Sequence, residues 1–373
     1  MEGKKVMVVF GTRPEAIKMA PVVQALKKSA VCCEVAVTAQ HREMLDQVLE
    51  LFKIHPDYDL NLMQAGQTLT DITTRALDGL KEVLEKAKPD IVLVHGDTTT
   101  TFVAALAAYY AHIPIGHVEA GLRTGQKYSP FPEEMNRKLA GALADLHFAP
   151  TTTAKNNLLH EGIDELKVLV TGNTVIDALL ETVKSDYTFA DPSLRSLLKA
   201  TEGQRMILVT THRRENLGEP MRQIYRALAD VLDHYPDTYV VFPVHKNPSV
   251  RQVVEEVLGQ NSRVHLIEPM DYEPFVNLMA QSNIILTDSG GIQEEAPSLG
   301  VPVLVVRDTT ERPEAVEAGT VALVGTSYEK VFEKLNRLLS DKEVYQDMAH
   351  ATNPYGDGQA SERIVAAMVK FLS

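Results

Sequence analysis

Cysteine is scarce in this sequence, which has only Cys32 and Cys33 among its 373 residues. Two neighbouring cysteines provide neither a disulfide framework nor the ligand spacing of a metal site. We therefore interpret both as small core residues of a strand. Because a chain that needs no disulfides suits a reducing compartment, we expect the protein to be cytoplasmic.

Long apolar runs and basic runs are also missing. No segment approaches the roughly 18 apolar residues of a membrane span, and the apolar run in "MEGKKVMVVFG" is too short for the core of a signal peptide. Lysine and arginine total 37 against 50 aspartates and glutamates, a formal net charge of −13. We therefore expect no membrane partner and no nucleic-acid partner. Local positive groups must meet any anionic ligand.

Three functional signatures are absent. The chain contains no G-x-G-x-x-G, no G-x-x-x-x-G-K-[ST] and no H-E-x-x-H, and its histidines are scattered. These absences argue against a dinucleotide fingerprint, a P-loop NTPase and a transition-metal site. We predict no bound metal.

The sequence does contain a regular alternation of short apolar runs and amphipathic segments. Near-continuous apolar strands separated by helices indicate a parallel sheet covered on both faces. The pattern restarts in the second half, and the length allows two cores, so we predict two doubly wound α/β domains. The predicted strands span 5–10, 34–38, 90–96, 115–121, 146–150, 205–211, 238–244, 263–267, 283–288 and 301–306.

We predict three parts along the chain. Residues 1–172 form an N-terminal Rossmann-like domain and residues 173–355 a C-terminal one, with a polar surface segment at 185–204. Residues 356–373 include a last helix that folds back. Ligands of open parallel sheets bind beyond the carboxyl ends of the strands. Two such faces opposed across an interdomain cleft would make one site.

The first strand is followed by "GTRPEAIK", which brings two cations to the start of a helix. Arg13 and Lys18 bracket a helix start, where backbone N–H groups favour an anion. An ordinary turn with solvated charges explains the spacing equally well.

Acidic residues follow later strands of the first half. Asp97 and Glu119 come directly after apolar runs, and "SPFPEEMNR" adds Glu133 and Glu134 at an apparent helix start. Partly desolvated carboxylates near one another can transfer protons. The alternative role of Asp97 and Glu133 is helix capping. Several acids at one sheet edge favour chemistry.

The second half offers groups that suit a nucleotide. His212, Arg213 and Arg214 follow its first strand and could neutralise a diphosphate. In "DSGGIQEEA", Ser289, Gly290 and Gly291 at a helix start can donate to phosphate. Glu295, about one turn later, can accept from ribose hydroxyls, and "RDTTERPEAVEAG" supplies Arg312 on the next loop.

Taken together, these runs resemble the non-hydrolysing UDP-N-acetylglucosamine 2-epimerase family across essentially the whole chain. The matching runs are "VFGTRPEAIKMAP", "VTAQHREMLDQVL", "HGDTTTT", "GHVEAGLRT", "SPFPEEMNR", "TGNTVIDAL", "THRREN", "TDSGGIQEEAPSLG", "RDTTERPEA" and "NPYGDGQA".

The resemblance implies a GT-B-like fold with two Rossmann-type domains that enclose a UDP-sugar, and a last helix that returns to the first domain. It also implies interconversion of UDP-GlcNAc and UDP-ManNAc without a cofactor, in a homodimer that supplies ManNAc for bacterial cell-surface polysaccharide. The family's catalytic residues correspond to Asp97, Glu119, Glu133 and His212. Its UDP contacts correspond to Arg13, Lys18, Phe275, Ser289, Gly290, Gly291, Glu295 and Arg312.

Two further features of the family bear on this chain. Some members have glutamine where this chain has Met270, so backbone groups would replace that side chain at the base. Bacterial members are often activated by UDP-GlcNAc at a second site, whose region corresponds to Gln40, His41, Arg213 and Arg214.

Three other functions remain as alternatives. A GT-B glycosyltransferase could grip UDP through the same "SGG" turn and glutamate, but no acceptor cleft is identifiable. A hydrolysing epimerase would release free ManNAc. A catalytically silent nucleotide-sugar sensor would not need so many candidate acids and bases.

Inverting C2 of an N-acetylhexosamine requires a way to remove a hydrogen that is not acidic. One route oxidises a neighbouring hydroxyl with NAD, whose binding fingerprint is absent. The other expels UDP from C1 while a carboxylate takes the C2 proton, and UDP adds back after reprotonation on the opposite face. We predict the second route, elimination and re-addition, which the family resemblance also implies.

Overall fold

The computed structural model describes residues 3–39, 42–62, 64 and 66–373. The chain divides into two compact units. Unit 1 comprises Met1–Leu180 and Tyr355–Ser373, and unit 2 comprises Glu181–Pro354.

Unit 1 contains one sheet of seven parallel strands among its described residues. Its strands are β1 (Lys5–Phe10), β2 (Cys32–Val37), β3 (Tyr58–Asp59), β4 (Ile91–His95), β5 (Ile115–Val118), β6 (Leu146–Ala149) and β7 (Val168–Val170). Its helices are α1 (Arg13–Lys27), α2 (Arg42–Leu51), α3 (Leu69–Ala87), α4 (Thr99–Tyr110), α5 (Glu133–Leu143), α6 (Thr152–His160), α7 (Thr174–Thr182, whose last two residues lie in unit 2) and, at the end of the chain, α16 (Ala360–Leu372).

Unit 2 contains a six-stranded parallel sheet. Its strands are β8 (Arg205–Thr210), β9 (Thr238–Pro243), β10 (Val264–Ile267), β11 (Ile284–Thr287), β12 (Val303–Val305) and β13 (Val321–Leu323). Its helices are α8 (Pro192–Ala200), α9 (Glu219–His234), α10 (Pro248–Leu258), α11 (Tyr272–Ala280), α12 (Gly290–Glu295), α13 (Pro313–Glu317), α14 (Tyr328–Ser340) and α15 (Lys342–Ala349).

The first six strands of the unit 1 sheet follow the same order as the six strands of the unit 2 sheet. It runs β3-β2-β1-β4-β5-β6-β7 in unit 1 and β10-β9-β8-β11-β12-β13 in unit 2. The order reverses between β1 and β4 in the first sheet and between β8 and β11 in the second. Ligands of doubly wound sheets bind at such reversals. The predicted architecture of two doubly wound α/β sheets is confirmed.

The central strands are buried because helices cover both faces of each sheet. Val6, Met7, Val8 and Phe10 in β1 are fully buried, as are Val240 to Phe242 in β9. Strands covered on both faces must be apolar at successive positions. This requirement explains why the interior strands are visible in the sequence as continuous apolar runs.

The division between the units falls inside α7, eight residues after the predicted boundary at residue 172. The start of α7 belongs to unit 1 because the Asp177 carboxylate accepts hydrogen bonds from the backbone N–H groups of Ala360 (3.2 Å) and Ser361 (2.7 Å). These contacts hold the start of α16, which packs against α1.

Two details differ from the sequence-based expectations. The segment 185–204 contains a helix, α8, which begins at an Asp191 cap and buries Leu194. The interpretation of the cysteines as core residues is wrong. Cys32 is exposed and Cys33 is half-buried, because the first half of β2 lies at the less covered end of the sheet. Burial nevertheless raises the pKa of the Cys33 thiol to about 12.

Helix length and composition bear on membrane insertion. Across the described ranges, each helix is too short or too polar to cross a bilayer.

Candidate functional site

Several of the predicted site residues follow the strands at the two reversals of strand order, one reversal in each unit. In unit 1, Arg13 and Lys18 follow β1, and Asp97 follows β4. In unit 2, His212 follows β8 and Ser289 follows β11. The parallel register brings the ends of neighbouring strands to the same sheet edge, as the pairs Val8–Leu93 and Thr210–Thr287 show. Each unit therefore presents its own cluster of predicted site residues.

The turn after β1 is built around the buried carboxylate of Glu15. One oxygen accepts from the backbone N–H groups of Gly11 (3.0 Å) and Thr12 (2.8 Å), and the other accepts from the Thr98 hydroxyl (2.7 Å). Thr12 and Glu15 form a capping box at the start of α1. Glu15 thereby joins the turn after β1 to the turn after β4 and fixes the position of Arg13.

Gly11 is required by close packing in this turn. A Cβ at this position would lie 2.1 Å from Oγ1 of Thr38 and 2.5 Å from Oγ1 of Thr100, two hydroxyls that hydrogen-bond each other at 2.8 Å. We expect Gly11→Ala to lower the free energy of unfolding of unit 1 by about 1–3 kcal/mol, since overpacking displaces buried atoms. Urea denaturation measures the loss.

The matched control for this substitution is Gly290→Ala. Apart from its chain neighbours and the backbone of its own helix, no heavy atom of the described residues lies within 4 Å of the Cβ that this change would add. We expect its effect on stability to stay within about 0.5 kcal/mol. Equal unfolding midpoints for the two variants would contradict the packing argument.

Glu119 lies at the centre of the unit 1 cluster, immediately after β5. Its carboxylate forms an ion pair with Lys18 and accepts a hydrogen bond from Nδ2 of Asn173 at 3.0 Å. Nε2 of His95, a buried side chain, lies 3.7 Å from Oε2. Glu119 has φ of 59°, a left-handed conformation that is costly for a residue with a Cβ. Such backbone strain is concentrated at functional sites.

The electrostatic environment keeps Glu119 ionised. Burial opposes the charged form, but the positive charge of Lys18 and the neighbouring His95 outweigh it. The net effect holds the pKa of the Glu119 carboxyl well below its ordinary value. Glu119 is therefore a carboxylate throughout the neutral pH range.

Asp97 is held beside Glu119 by α5. Its carboxylate pairs with Arg137, and its backbone carbonyl accepts from Nδ2 of Asn136 at 2.9 Å. A Cβ on the preceding Gly96 would lie 3.7 Å from Oε1 of Glu119, so the two loops are adjacent. Asp97 does not cap α4, because Thr98 does so by accepting from the Thr101 N–H.

The two glutamates that begin α5 have different surroundings. Glu134 is fully buried and accepts from the backbone N–H groups of Thr124 and Gly125, both at 3.0 Å, so it holds the preceding loop. Glu133 is half-buried and is the first residue of the helix, whose N-cap position is occupied by Pro132. The helix-capping role is therefore wrong for Glu133 as well. Glu133 lies one turn before the side chains that contact Asp97.

In unit 2, Asp288 organises the turn that contains His212. Its Oδ2 accepts from the backbone N–H groups of His212 (2.9 Å) and Arg213 (2.8 Å). The imidazole of His212 stacks on that of His245, with ring centroids 5.3 Å apart. Nε of Arg213 donates to the Asp288 carbonyl at 3.3 Å. Arg214 is exposed and begins a 3₁₀ turn.

The turn after β11 begins α12. Ser289 occupies the N-cap position, and its backbone N–H donates to the Thr287 hydroxyl at 3.0 Å. The space around a Cβ at Gly290 is open, and a Cβ at Gly291 would be 3.6 Å from Oε1 of Glu295. The backbone of this turn is thus approachable by a ligand.

Glu295 connects α12 to α11. Its Oε2 accepts a hydrogen bond from the Tyr272 hydroxyl at 3.1 Å. Phe275 is on the same helix as Tyr272, one turn later, and is half-buried. Glu295, predicted to accept from ribose, thus contacts the helix that contains Phe275, a predicted contact of UDP.

Arg312 is the N-cap of α13 and pairs with Glu294, a carboxylate that is buried within α12. Its backbone N–H donates to the Thr310 hydroxyl at 3.0 Å, and Thr310 donates to Gln293 at 2.6 Å. Arg312 is therefore attached to the same short helix as Glu295. Lys18 and Arg312, both predicted to contact UDP, each pair with a carboxylate here.

Three residues predicted from the family resemblance remain: Gln40, His41 and Met270. Gln40 and His41 lie outside the described residues. Met270 lines a cavity of about 280 Å³ together with Tyr187 and Phe189, behind the start of α11. A groove of about 640 Å³ between α3 and α4 is lined by none of the predicted site residues that the structure describes.

Several side chains of the site were missed from sequence. His95, Asn136, Arg137 and Asn173 all contact predicted acids, and each stands within or beside a run that matches the family. The only signal for them was this proximity to the motifs. Within the described ranges, no group of three or more histidine, cysteine, aspartate or glutamate side chains is placed to hold a metal ion.

Comparisons with known proteins point to one family. The family model for UDP-N-acetylglucosamine 2-epimerase matches residues 24–369. The UDP-N-acetylglucosamine 2-epimerases of Escherichia coli (strain K12) and Bacillus subtilis (strain 168) are 59% and 57% identical to this chain over 370 residues. The alignments cover 98% of both chains for E. coli, and 99% of this chain and 96% of the other for B. subtilis.

A solved structure gives the same result. The crystal structure of UDP-GlcNAc 2-epimerase from Neisseria meningitidis bound to UDP-GlcNAc is 54% identical, with a TM-score of 0.84. The match covers 98% of this chain and 100% of that chain. These similarities confirm the predicted family resemblance and the GT-B-like fold class.

Proposed function

Because the chain belongs to the UDP-N-acetylglucosamine 2-epimerase family, we propose that it interconverts UDP-GlcNAc and UDP-ManNAc without releasing free ManNAc. The observation that carries the proposal is the cluster after β4 and β5. There Glu119 is held ionised by Lys18 and lies beside the loop of Asp97. The helix that begins at Glu133 holds Asp97 through Arg137.

The reaction begins with cleavage of the bond between C1 and the UDP oxygen, which takes the electron pair. The positive character that develops at C1 makes the C2 hydrogen acidic, so a carboxylate of low basicity can remove it. The neutral intermediate is a 2-acetamidoglucal. Reprotonation of C2 on the opposite face and return of UDP to C1 complete the inversion. No net oxidation occurs, and no water is consumed.

The carboxylates of unit 1 supply the proton transfer in this proposal. Two proton-handling groups are required, one for each face of C2. Asp97, Glu119 and Glu133 are the candidates, and Glu119 is suited to accept a proton because it is ionised at neutral pH. Besides its predicted contact with UDP, Lys18 keeps Glu119 ionised through their ion pair. Asn173 fixes the same carboxylate through its hydrogen bond.

Unit 2 supplies the nucleotide contacts in this proposal. The Ser289 hydroxyl and the backbone N–H groups of Gly290 and Gly291 stabilise the diphosphate as its charge grows, with His212 and, from unit 1, Arg13 adding positive charge. Glu295 accepts from ribose hydroxyls. Phe275 and the backbone beside Met270 would contact the base.

One assay tests the proposal and separates it from the alternatives. The protein is incubated with UDP-GlcNAc alone in D2O, with no nicotinamide added. We expect UDP-ManNAc that carries deuterium at C2, together with traces of UDP and 2-acetamidoglucal. Free ManNAc would indicate a hydrolysing epimerase, and unchanged substrate would indicate a sensor or a transferase that lacks its acceptor. Retention of the original C2 hydrogen would rule out elimination and re-addition.

Three finer features stay predictions. We propose a homodimer, which size-exclusion chromatography with light scattering would measure. We propose a cytoplasmic enzyme that supplies ManNAc for cell-surface polysaccharide. Activation by UDP-GlcNAc through Gln40, His41, Arg213 and Arg214 would appear as sigmoidal dependence of the rate on UDP-GlcNAc concentration.

A further inference from the structure

Asp288 is a fully buried carboxylate whose two oxygens have different surroundings. Oδ2 accepts the two backbone N–H groups of the His212 turn and is 3.3 Å from Nδ2 of Asn216. Oδ1 is buried and has no hydrogen-bond partner of good geometry among the described residues. It lies 3.3 Å from Nδ1 of His212. A buried oxygen without a hydrogen bond is costly, so a proton on Nδ1 of His212 would stabilise Oδ1 of Asp288 by donating to it.

The other groups around His212 do not compete for Nδ1. His245, on the loop after β9, stacks on the His212 ring with an interplanar angle of 15°. Nδ1 of His245 accepts the Asn247 N–H at 3.1 Å, so the proton of its neutral ring is on Nε2. Arg213, the next residue in the chain, donates to the Asp288 carbonyl. Among the described residues that act on the charge of His212, Asp288 is therefore the one carboxylate.

These groups have opposing effects on the imidazole. Burial lowers the pKa of His212, and Asp288 raises it, while His245 and Arg213 lower it further. The net direction is downward. This direction favours the neutral His212 ring in the free protein near neutral pH, so the position of its single proton matters.

We propose that Asp288 is a positioning residue that fixes His212 as the Nδ1–H tautomer and stabilises its imidazolium form beside a bound diphosphate. This inference rests on the proposed function only for the identity of the diphosphate. With Nδ1–H directed at Oδ1, Nε2 is the ring nitrogen left for a ligand. In the imidazolium, Nε2–H donates a hydrogen bond to the phosphate oxygen that receives the electron pair when the C1–O bond breaks. The proton stays on His212 in that step.

The tautomer is measured on the unaltered protein. Labelling histidine with ¹⁵N and assigning His212 by the signals missing from His212→Gln reports which ring nitrogen carries the proton. We expect the Nδ1–H form at a pH above the His212 titration. An Nε2–H form would overturn the proposal. This measurement needs no substrate, so its outcome is independent of whether the protein produces UDP-ManNAc.

A variant tests the electrostatic part. Asp288→Asn keeps the shape and one acceptor oxygen but removes the charge that offsets the imidazolium. We expect the His212 titration to move about 1–3 pH units lower. The alkaline limb of the turnover profile should move lower with it, because activity requires the protonated ring. A matched control is Asp230→Asn, which alters a carboxylate that belongs to α9 and accepts from the Tyr328 hydroxyl.

The pH dependence separates positioning from a general structural effect. Equal loss of turnover at every pH, with an unchanged His212 titration, would contradict the proposal. If Asp288→Asn does not fold, the tautomer of the unaltered protein decides the question.

Discussion

Replacing Glu119 with glutamine is expected to reduce turnover of UDP-GlcNAc by about 10²–10⁴-fold, the range typical of lost proton-transfer groups. Glutamine keeps the shape of the side chain but cannot accept the C2 proton. It also leaves Lys18 opposite a neutral amide in place of the carboxylate that pairs with it. The expected loss is in kcat, measured as UDP-ManNAc formed at saturating UDP-GlcNAc.

The control for this variant is Glu165→Gln in the same unit. Glu165 pairs with Lys155 on the surface, and its side chain is 70% exposed, so its loss should leave turnover unchanged. UDP affinity and thermal unfolding of Glu119→Gln show whether the fold survives the loss of a buried charge. Turnover within threefold of the unaltered protein, in a folded variant, would remove Glu119 from the reaction.

Replacing Glu295 with alanine is expected to weaken UDP binding by about 10- to 100-fold. Hydrogen bonds to a charged group contribute about 1.5–3 kcal/mol, and each 1.4 kcal/mol changes an affinity tenfold. Glu295 is the carboxylate that α12 presents beside Tyr272, next to the turn that we propose holds the phosphates. Isothermal titration calorimetry with UDP measures the change without requiring turnover.

Tyr272→Phe is the matched comparison for this prediction. It removes the hydroxyl that donates to Glu295 but leaves the carboxylate in place. We expect a smaller loss of UDP affinity than in Glu295→Ala, because the ribose ligand is then less well oriented but still present. Equal UDP affinity in Glu295→Ala and the unaltered protein would place the ribose elsewhere.

The sequence predicted the interior of both sheets well. The runs at 5–10, 205–211 and 238–244 correspond to β1, β8 and β9, with ends that agree within one residue. These strands are covered by helices on both faces, so each successive side chain must be apolar. The resulting apolar runs identify these strands in the sequence.

The strands that the sequence did not reveal are edge strands. Tyr58–Asp59 and Val168–Val170 close the first sheet, and Val321–Leu323 closes one side of the second. Each has two or three residues and a single neighbouring strand. A segment this short needs no continuous apolar run, and its pairing follows from the neighbour rather than from its own residues.

The sequence by itself also determined which residues follow the carboxyl ends of the buried strands. Asp97, Glu119 and His212 each follow a buried strand, and the parallel register places the ends of such strands together. Only the tertiary structure decided which side chain each of these residues contacts. Lys18 and Glu119 are 101 residues apart, Asp97 and Arg137 are 40 apart, and His212 and Asp288 are 76 apart. An ion pair depends on distance in space, which the folded sheets set, so no local pattern specifies it.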